Sequence, residues 1–555
     1  MARISGGELL VRTLINAGVE KIFGLHGAHI DPLFQSCLDH DIPIVDTRHE
    51  VAAGHAAEGY ARAGNRLGVA TVTAGPGFTN VISSIANAYL DRTPVLYISG
   101  AAGLGQVETN TLQAGIDQVA VARPITKWAQ QIGTTADIPR LVAQAIRTAL
   151  SAPTGPVLLD IPMDVLGGSV EEESVAIPDT VAPASAAAPD PEAIAQAVRM
   201  LTEAARPVIM AGAGAWQSKA AKALRRFAET SGIPVYSDFP AHGLLPSDHP
   251  LYGGTTHKMA DLAGDERPDV VLALGVRFGL FTLGASDLLV PQASRIIHIE
   301  ADPREIGRVR PVALGIAGDS GLALKALNAR ADDVSWPDWS GWQRRVACAK
   351  ADRRARMLRE FTRNAPPIHP YEAVAAIADT MPEGTVVVGD GAEAYHWLNE
   401  VIAQSEPGSY ITHGFLGCVG MGLGLSLGAQ AARPDRPVLC LAGDGAVGFT
   451  IAEFDTMARH KLPIVTVVMN NHSWAASQHF QELAVGPNRI TRTRLGGARY
   501  DEVAAGFGCR GEHVRRIEEL RPAIAAAFAS GEPTCINVEV DVAPTPPELH
   551  LLMRR

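Results

Sequence analysis

Short runs rich in valine, isoleucine and leucine recur along almost the whole chain, and segments of helical pattern separate them. The clearest runs are Gly68–Thr73, Val95–Ser99, Pro156–Ile161, Pro207–Ala211, Val270–Leu274, Ile296–Ile299, Thr385–Val388, Pro437–Leu441 and Pro463–Met469. Parallel neighbours in a sheet need a long crossover between them, usually a helix, so this alternation predicts an α/β protein of doubly wound parallel sheets. At roughly 100–200 residues per domain, 555 residues predict three such domains.

Two breaks place the boundaries. Ile177–Pro191 is rich in Ala, Pro and Asp and has no periodicity, which reads as a linker. The stretch from about Ala329 to Pro370 holds Trp336, Trp339 and Trp342, then an Arg-rich helical segment (Arg353–Arg363), then Pro366-Pro367. It reads as a second connection with a helix of its own. The expected domains are residues 1–176, 177–345 and 346–555.

Bulk properties exclude several classes. The formal net charge of −11 argues against nucleic acid as a partner. No apolar run reaches the roughly 18–20 residues that span a bilayer, and Met1–Ser5 does not open a signal-peptide stretch, so no membrane partner and a cytoplasmic location are expected. Six cysteines, Cys37, Cys348, Cys418, Cys440, Cys509 and Cys535, form no C-x-x-C pair and are expected as buried reduced thiols.

The most specific chemistry lies near the end. Pro437–Leu441 leads into Gly443-Asp444-Gly445, a helix is expected over about Thr450–His460, and Pro463–Met469 leads into Asn470-Asn471-His472-Ser473. This βαβ unit puts Asp444 and Asn471 at the carboxyl ends of parallel strands, where open α/β sheets bind ligands. One carboxylate, one amide oxygen and a backbone carbonyl suit Mg²⁺, which takes its remaining oxygens from phosphates and water. Gly445 lets backbone N–H groups approach a phosphate. Taken singly, Gly-Asp-Gly is equally a turn and Asn-Asn a strand cap; their combination at this spacing favours the metal.

The first domain offers a second group of polar residues. Asp46–Glu50 ends a strand-like run, and Ala52–Ala57 opens a helix of small residues. A helix that small packs tightly, which draws Glu50 into a poorly solvated site and disfavours its charged form. By sequence alone Glu50 is equally a helix N-terminal carboxylate. His29, in Phe23–His29, is the side chain best suited to moving protons near neutral pH, or equally a structural histidine at a helix start. Gln113, in Thr109–Gln118, can both donate and accept a hydrogen bond; alone it is a loop glutamine.

Gly443-Asp444-Gly445 followed by Asn470-Asn471, with Arg48-His49-Glu50 followed by Gly75-Pro76-Gly77-x-x-Asn80, resembles the thiamine-diphosphate motifs of the acetolactate synthase and pyruvate decarboxylase superfamily. The resemblance implies thiamine diphosphate and Mg²⁺ as cofactors, with Asp444, Asn471 and the Ser473 carbonyl on the metal. It implies that Glu50 meets the pyrimidine ring and promotes loss of the proton at the thiazolium C2, which makes that carbon a nucleophile. In that superfamily the pyrimidine domain of one subunit meets the diphosphate domain of another. A homodimer with interface active sites, assembling to a homotetramer, is therefore implied.

Longer segments, Phe23–Asp31, Asp46–Gly64, Thr109–Val119, Pro124–Trp128, Glu453–Thr456 and Phe480–Arg489, resemble the benzaldehyde lyases. That resemblance implies reversible cleavage of (R)-benzoin-type 2-hydroxyketones into two aldehydes, through a carbanion/enamine at C2. His29 and Gln113 would handle substrate protons. Ala28, Met163, Tyr395, His413 and Ala476 would line the substrate pocket. Pro76, Asn80, Ala392, Tyr395, Gly417, Val419, Gly443, Asp444, Gly445, Ala446, Asn471 and Ser473 would, with Glu50, contact the cofactor. The chain departs from the pattern at Met163, where the lyases carry tryptophan, and at Val419, where they carry a methionine that wedges the cofactor into its bent form. Valine is smaller but stiff, and Met163 is flexible without an indole N–H, so aromatic and aliphatic aldehydes both stay open. The main alternative is a 2-keto-acid decarboxylase or acetolactate-type synthase; against it, the chain lacks an adjacent His-His pair, a feature of the pyruvate decarboxylase branch. In the middle domain, Ala211-Gly212-Ala213-Gly214-Ala215-Trp216 is a weak nucleotide-binding signal and is expected to be structural, like His298 and Arg277, with no flavin.

Overall fold

The computed structural model describes residues 2–543 apart from 107–108, 183–184, 263 and 285. Its strands form three six-stranded sheets in which every neighbouring pair is parallel, plus one small antiparallel pair, Arg3–Ser5 with Ser169–Glu171. All nine predicted strands are present, each within two residues of its expected ends.

The first sheet runs, edge to edge, Ile44–Asp46, Ile22–Gly24, Gly68–Val72, Val95–Ala101, Val157–Pro162 and Trp128–Gln131. Numbered in chain order within the domain, that is 2-1-3-4-6-5. The last sheet runs Tyr410–Thr412, Val386–Asp390, Val438–Gly443, Ile464–Asn470, Thr534–Glu539 and Arg510–Val514, which is the same order. The central sheet runs Tyr252–Thr255, Val235–Ser237, Pro207–Ala211, Val270–Leu274, Arg295–Glu300 and Leu314–Ala317, or 3-2-1-4-5-6. The interiors of its strands Pro207–Ala211, Val270–Leu274 and Arg295–Glu300 are wholly buried, as a sheet covered on both faces requires.

The first and last domains share one continuous hydrophobic core, whereas the central domain has its own. The join is made by two helices in equivalent places, Glu50–Gly64 and Gly422–Ala432, each following the second strand of its domain. Both are rich in Ala and Gly, so their backbones touch. A Cβ on Gly428 would lie 1.8 Å from the Ala56 carbonyl oxygen, and one on Gly59 2.1 Å from that of Leu425. The small-residue helix packs tightly, as expected, and this neighbouring helix is what it packs against.

The second connection differs from expectation in extent. Its helix spans Ser340–Phe361 and so begins well before the Arg-rich segment. The expected boundary between residues 345 and 346 lies inside this helix. Its first half belongs to the central core through Trp339, Trp342, Val346 and Ala349, and Met357 joins the core of the last domain. The indoles of Trp339 and Trp342 donate to the carbonyls of Ala204 and Pro207, at 3.2 and 2.9 Å. Buried Arg353 then ties the central domain to the last, pairing with Asp261 at 2.8 Å and with Glu400 at 2.9 Å.

Among the described residues, no helix is long and apolar enough to cross a membrane. All six cysteines are free; four are buried, but Cys348 is exposed and Cys418 is half-buried, which corrects the expectation for those two.

Candidate active site

In the first domain the candidates gather around one loop. Strand Gly68–Val72 ends at Thr73-Ala74-Gly75-Pro76-Gly77, which starts the helix Pro76–Leu90. His29 lies in the short turn Ala28–Ile30 after the neighbouring strand. It is 8% exposed, and its Nδ1 lies 3.2 Å from the Thr73 hydroxyl. Burial lowers its pKa, so the imidazole is neutral near pH 7. Glu50 opens its helix and is also 8% exposed. Its Oε2 accepts a 3.0 Å hydrogen bond from the Asn80 amide, and its Oε1 lies 3.6 Å from where a Cβ on Gly77 would stand. Gln113 sits on the far side of the loop, half-buried, with its Cβ 3.0 Å from a Cβ built on Gly75. Its φ of +62° is unusual for a non-glycine residue, and such strain concentrates at functional sites. Ala28 and Met163 are exposed beside this group, Met163 directly after strand Val157–Pro162.

Beneath the loop lies a polar scaffold that the motifs did not single out. The Gly75 amide donates to Gln118 Oε1 at 2.9 Å. Gln118 Nε2 donates to the Gly100 carbonyl at 2.9 Å and to Asp160 Oδ1 at 2.5 Å, and Gln131 donates to the other Asp160 oxygen at 2.8 Å. Burial pushes the Asp160 carboxyl up to about 6, against these two amides. The available signal was an aspartate inside an otherwise apolar strand, Val157-Leu158-Leu159-Asp160-Ile161, because a buried acid needs partners.

The last domain carries a second cluster at the same end of its sheet. Asp444 follows strand Val438–Gly443, and Asn471 and Ser473 follow strand Ile464–Asn470. Asp444 is 3% exposed; its Oδ1 accepts from the Gly445 amide at 2.9 Å, while its buried Oδ2 has no hydrogen-bond partner among the described residues. Burial raises this carboxyl to about 6 despite backbone N–H groups that favour its charge. A buried carboxylate oxygen without a donor is the environment a hard cation satisfies, so the residues present fit Mg²⁺. Asn471 Oδ1 lies 3.1 Å from the Ser473 amide, across His472 at φ +56°. Gly445 has a packing role: a Cβ there would meet the Trp474 ring at 2.5 Å.

The remaining candidates surround this turn. Gly391 at φ +83° approaches Gly443 and Ala446 and starts the helix Ala392–Val401. Tyr395 on that helix is buried, with its ring 4.4 Å from His413 in an edge contact. Burial lowers His413 to about 4, so it is neutral. The loop from His413 to Met421 carries Gly417, exposed, and Val419, half-buried, and Asp390 anchors it by accepting from the Gly420 and Gly422 amides at 3.1 and 2.7 Å. Ala476 lies in the first turn of helix Ala475–Val485.

The two clusters are separate within the chain. Among the described residues, no hydrogen bond or ion pair joins Glu50, His29 or Gln113 to Asp444, Asn471 or Ser473. The domains are instead fastened just before Glu50. Glu453 accepts from the Arg48 amide at 3.1 Å, and Asp46 pairs with Arg459 and His460 at 2.7 Å each.

The middle domain's glycine turn is closed by packing. A Cβ on Gly212 would lie 2.4 Å from the Gly275 carbonyl oxygen, and one on Gly214 2.7 Å from the Gly275 Cα. Buried His298 holds the Val276 carbonyl at 2.9 Å, and Arg277 donates to the Leu90 carbonyl at 2.6 Å. A cavity of about 990 Å³ opens where the three domains meet, lined among others by Arg92, Trp216, Lys219, Arg277 and Asp319.

Comparison with known proteins agrees with this architecture. Residues 4–121 match the thiamine pyrophosphate enzyme N-terminal TPP binding domain, residues 194–327 the central domain, and residues 385–538 the C-terminal TPP binding domain. The acetolactate synthase large subunit of Mycobacterium tuberculosis is 35% identical over 536 residues, covering 96% of this chain and 95% of the relative. The probable acetolactate synthase large subunit of Methanocaldococcus jannaschii is 30% identical over 97% of this chain and 92% of its own length. Acetolactate synthase isozyme 2 large subunit of Escherichia coli is 29% identical over 97% and 96%. With three domain matches in order and these full-length relatives, the chain belongs to the thiamine pyrophosphate enzyme family.

Proposed function

We propose that the chain is a thiamine-diphosphate- and Mg²⁺-dependent aldehyde lyase and carboligase, which reversibly cleaves (R)-benzoin-type 2-hydroxyketones into two aldehydes. The observation that carries this is the grouping of His29, Glu50 and Gln113 around the Thr73–Gly77 loop. Asp444, Asn471 and the Ser473 carbonyl would hold Mg²⁺, and the Gly443–Ala446 turn with Ala392 would receive the diphosphate. The bound cofactor supplies a nucleophilic carbon and an electron sink beside the substrate carbonyl. Glu50, held by the Asn80 amide, would meet the pyrimidine ring of the bound cofactor. Neutral His29 takes the hydroxyl proton of the hydroxyketone during cleavage and returns it to the aldehyde during ligation. Gln113 hydrogen-bonds the substrate oxygen. Ala28, Met163, Tyr395, His413 and Ala476 shape the pocket, while Pro76, Gly417 and Val419 support the cofactor.

The site is completed by a second copy of the chain, in a homodimer that pairs into a homotetramer. Support comes from the separation of the two clusters and from large apolar side chains left exposed near them: Leu112 at 81%, Phe449 at 66% and Phe480 at 61%.

A second reading, a 2-keto-acid decarboxylase or acetolactate-type synthase, is favoured by the names of the full-length relatives. Those names support it more directly than they support the lyase. Product analysis after incubating holoenzyme with benzoin, aliphatic acyloins and 2-keto acids separates the two. Aldehydes from hydroxyketones without CO₂ release are expected; CO₂ from pyruvate or benzoylformate, with hydroxyketones untouched, would sink the lyase.

A further inference from the structure

The loop that carries Gly417 and Val419 also carries Cys418, and the catalytic reading leaves this residue without a role. Its Sγ lies 3.8 Å from the Nε2 of His55, on the helix Glu50–Gly64. The other ring nitrogen of His55 lies 3.6 Å from the Glu58 carboxylate, one turn further along that helix. His55 is 1% exposed and Glu58 is fully buried, whereas Cys418 is half-exposed. The result is a thiol at the surface end of a buried imidazole–carboxylate ion pair, in which Glu58 acts on the ring by charge across 3.6 Å rather than through a hydrogen bond.

The pair is held rigidly. A Cβ on Gly424 would come within 2.8 Å of the His55 Cβ, so the facing helix fixes the ring. Glu58 accepts both contacts of the Asn87 amide at 2.9 Å and pairs with Arg62 at 3.3 Å. Burial works against charge on both residues. It is outweighed at His55, which Cys418 and Glu58 raise to about 9, and at Glu58, which His55 and Arg62 hold below its ordinary value. The other groups that face the pair are Asp91, which also contacts Arg62, Tyr97 behind Glu58, and Asp390 of the last domain, which acts on His55.

We propose that Cys418 is a reactive thiol, activated by the His55 imidazole it touches, and that it is a site of oxidation by peroxides beside the cofactor loop. In that step the Cys418 sulfur attacks one peroxide oxygen. An S–O bond forms as the O–O bond breaks. Sulfur is oxidised to sulfenic acid, and the departing hydroxide takes the His55 proton and leaves as water. A sulfenic acid between Gly417 and Val419 crowds the loop meant to support the cofactor, so oxidation lowers activity. The thiol chemistry stands whichever carbon–carbon substrate the enzyme uses.

The test labels full-length protein with iodoacetamide across pH 6–8 and maps each cysteine by mass spectrometry, with exposed Cys348 as internal control. Cys418 should label about 10-fold faster than Cys348 at pH 6.5 and show a flatter pH profile, since an ordinary thiol gains about tenfold in thiolate per pH unit below its pKa. His55→Gln should bring Cys418 down to the Cys348 rate. In parallel, Cys418→Ser should turn over like the wild type and resist hydrogen peroxide. Labelling of wild-type Cys418 no faster than Cys348 at pH 6.5 overturns the activation. Equal peroxide inactivation of Cys418→Ser and wild type overturns the oxidation site.

Discussion

The first and last domains share one strand order, 2-1-3-4-6-5, and both place their polar residues at the carboxyl ends of the same four strands. After strand 1 stand His29 and Ala392; after strand 2, Glu50 and the Gly417–Val419 loop; after strand 3, Pro76 with Asn80 and Asp444; after strand 4, Gln113 and Asn471 with Ser473. Yet the two ends are equipped differently. The first carries side chains able to exchange protons or hydrogen bonds, neutral His29 among them. The last carries oxygen donors and glycine turns, with one buried carboxylate oxygen still lacking a partner. Equal scaffolds thus hold unequal chemistry, because function resides in the loops rather than in the sheet. The central domain makes the point from the other side: its switch point is closed by glycine packing on glycine.

The division between a holding half and a proton-moving half can be broken at four places. Asp444→Ala has the largest expected effect. It removes the one charged group among the residues proposed to hold Mg²⁺, so Mg²⁺-dependent binding of thiamine diphosphate in a calorimetric titration and turnover should disappear together. Retained tight binding would show that the metal is held elsewhere. His29→Ala should slow hydroxyketone cleavage by roughly 10²–10⁴-fold, the usual scale of acid–base catalysis, while cofactor affinity stays near wild type. Steady-state kinetics beside the same titration decides it, and an unchanged rate removes His29 from the mechanism.

Asp160→Asn probes the scaffold under the first half. Its carboxyl is raised from 3.8 to about 6, so the folded chain keeps a proton that the unfolded chain releases. Wild-type stability attributable to this group therefore falls as pH rises from about 4 to about 6 and is level above that. The mutant, which cannot ionise there, should gain about 2 kcal/mol on the wild type between pH 4 and pH 7. Parallel denaturant curves at the two pH values measure this, and a gap independent of pH would contradict it. Arg459→Ala should do least. Its pairs with Asp46 and Asp455 are more than a third and about a fifth exposed on the carboxylate side, so a loss within about 1 kcal/mol and normal kinetics are expected.

Much of this was legible in the sequence because parallel strands are short apolar runs and their carboxyl ends are where polar motifs become visible. Asp444, Asn471, Glu50 and His29 all lie just past such a run. Less legible was whatever depends on distant partners. Gln118 and Asp160 are 42 residues apart and meet only across the sheet. The join of the first and last domains at Gly59 and Gly428 leaves no local pattern beyond an excess of small residues. The helix Ser340–Phe361 is legible only from Arg353 onward, because its first half carries Trp342, which packs on the central domain, and lacks a clear polar face. The cysteines read alike in sequence, and only the fold separates half-exposed Cys418, with its histidine, from its buried counterparts.

The central claim is that Glu50 acts on a cofactor that the other half holds. Glu50→Gln keeps the size of the side chain and its acceptor for Asn80 but removes the exchangeable carboxyl proton. Its titration with thiamine diphosphate and Mg²⁺, run beside turnover of the best hydroxyketone or keto acid, is the most direct measurement. Binding close to wild type with turnover abolished is the predicted result; undiminished turnover in Glu50→Gln would contradict the account.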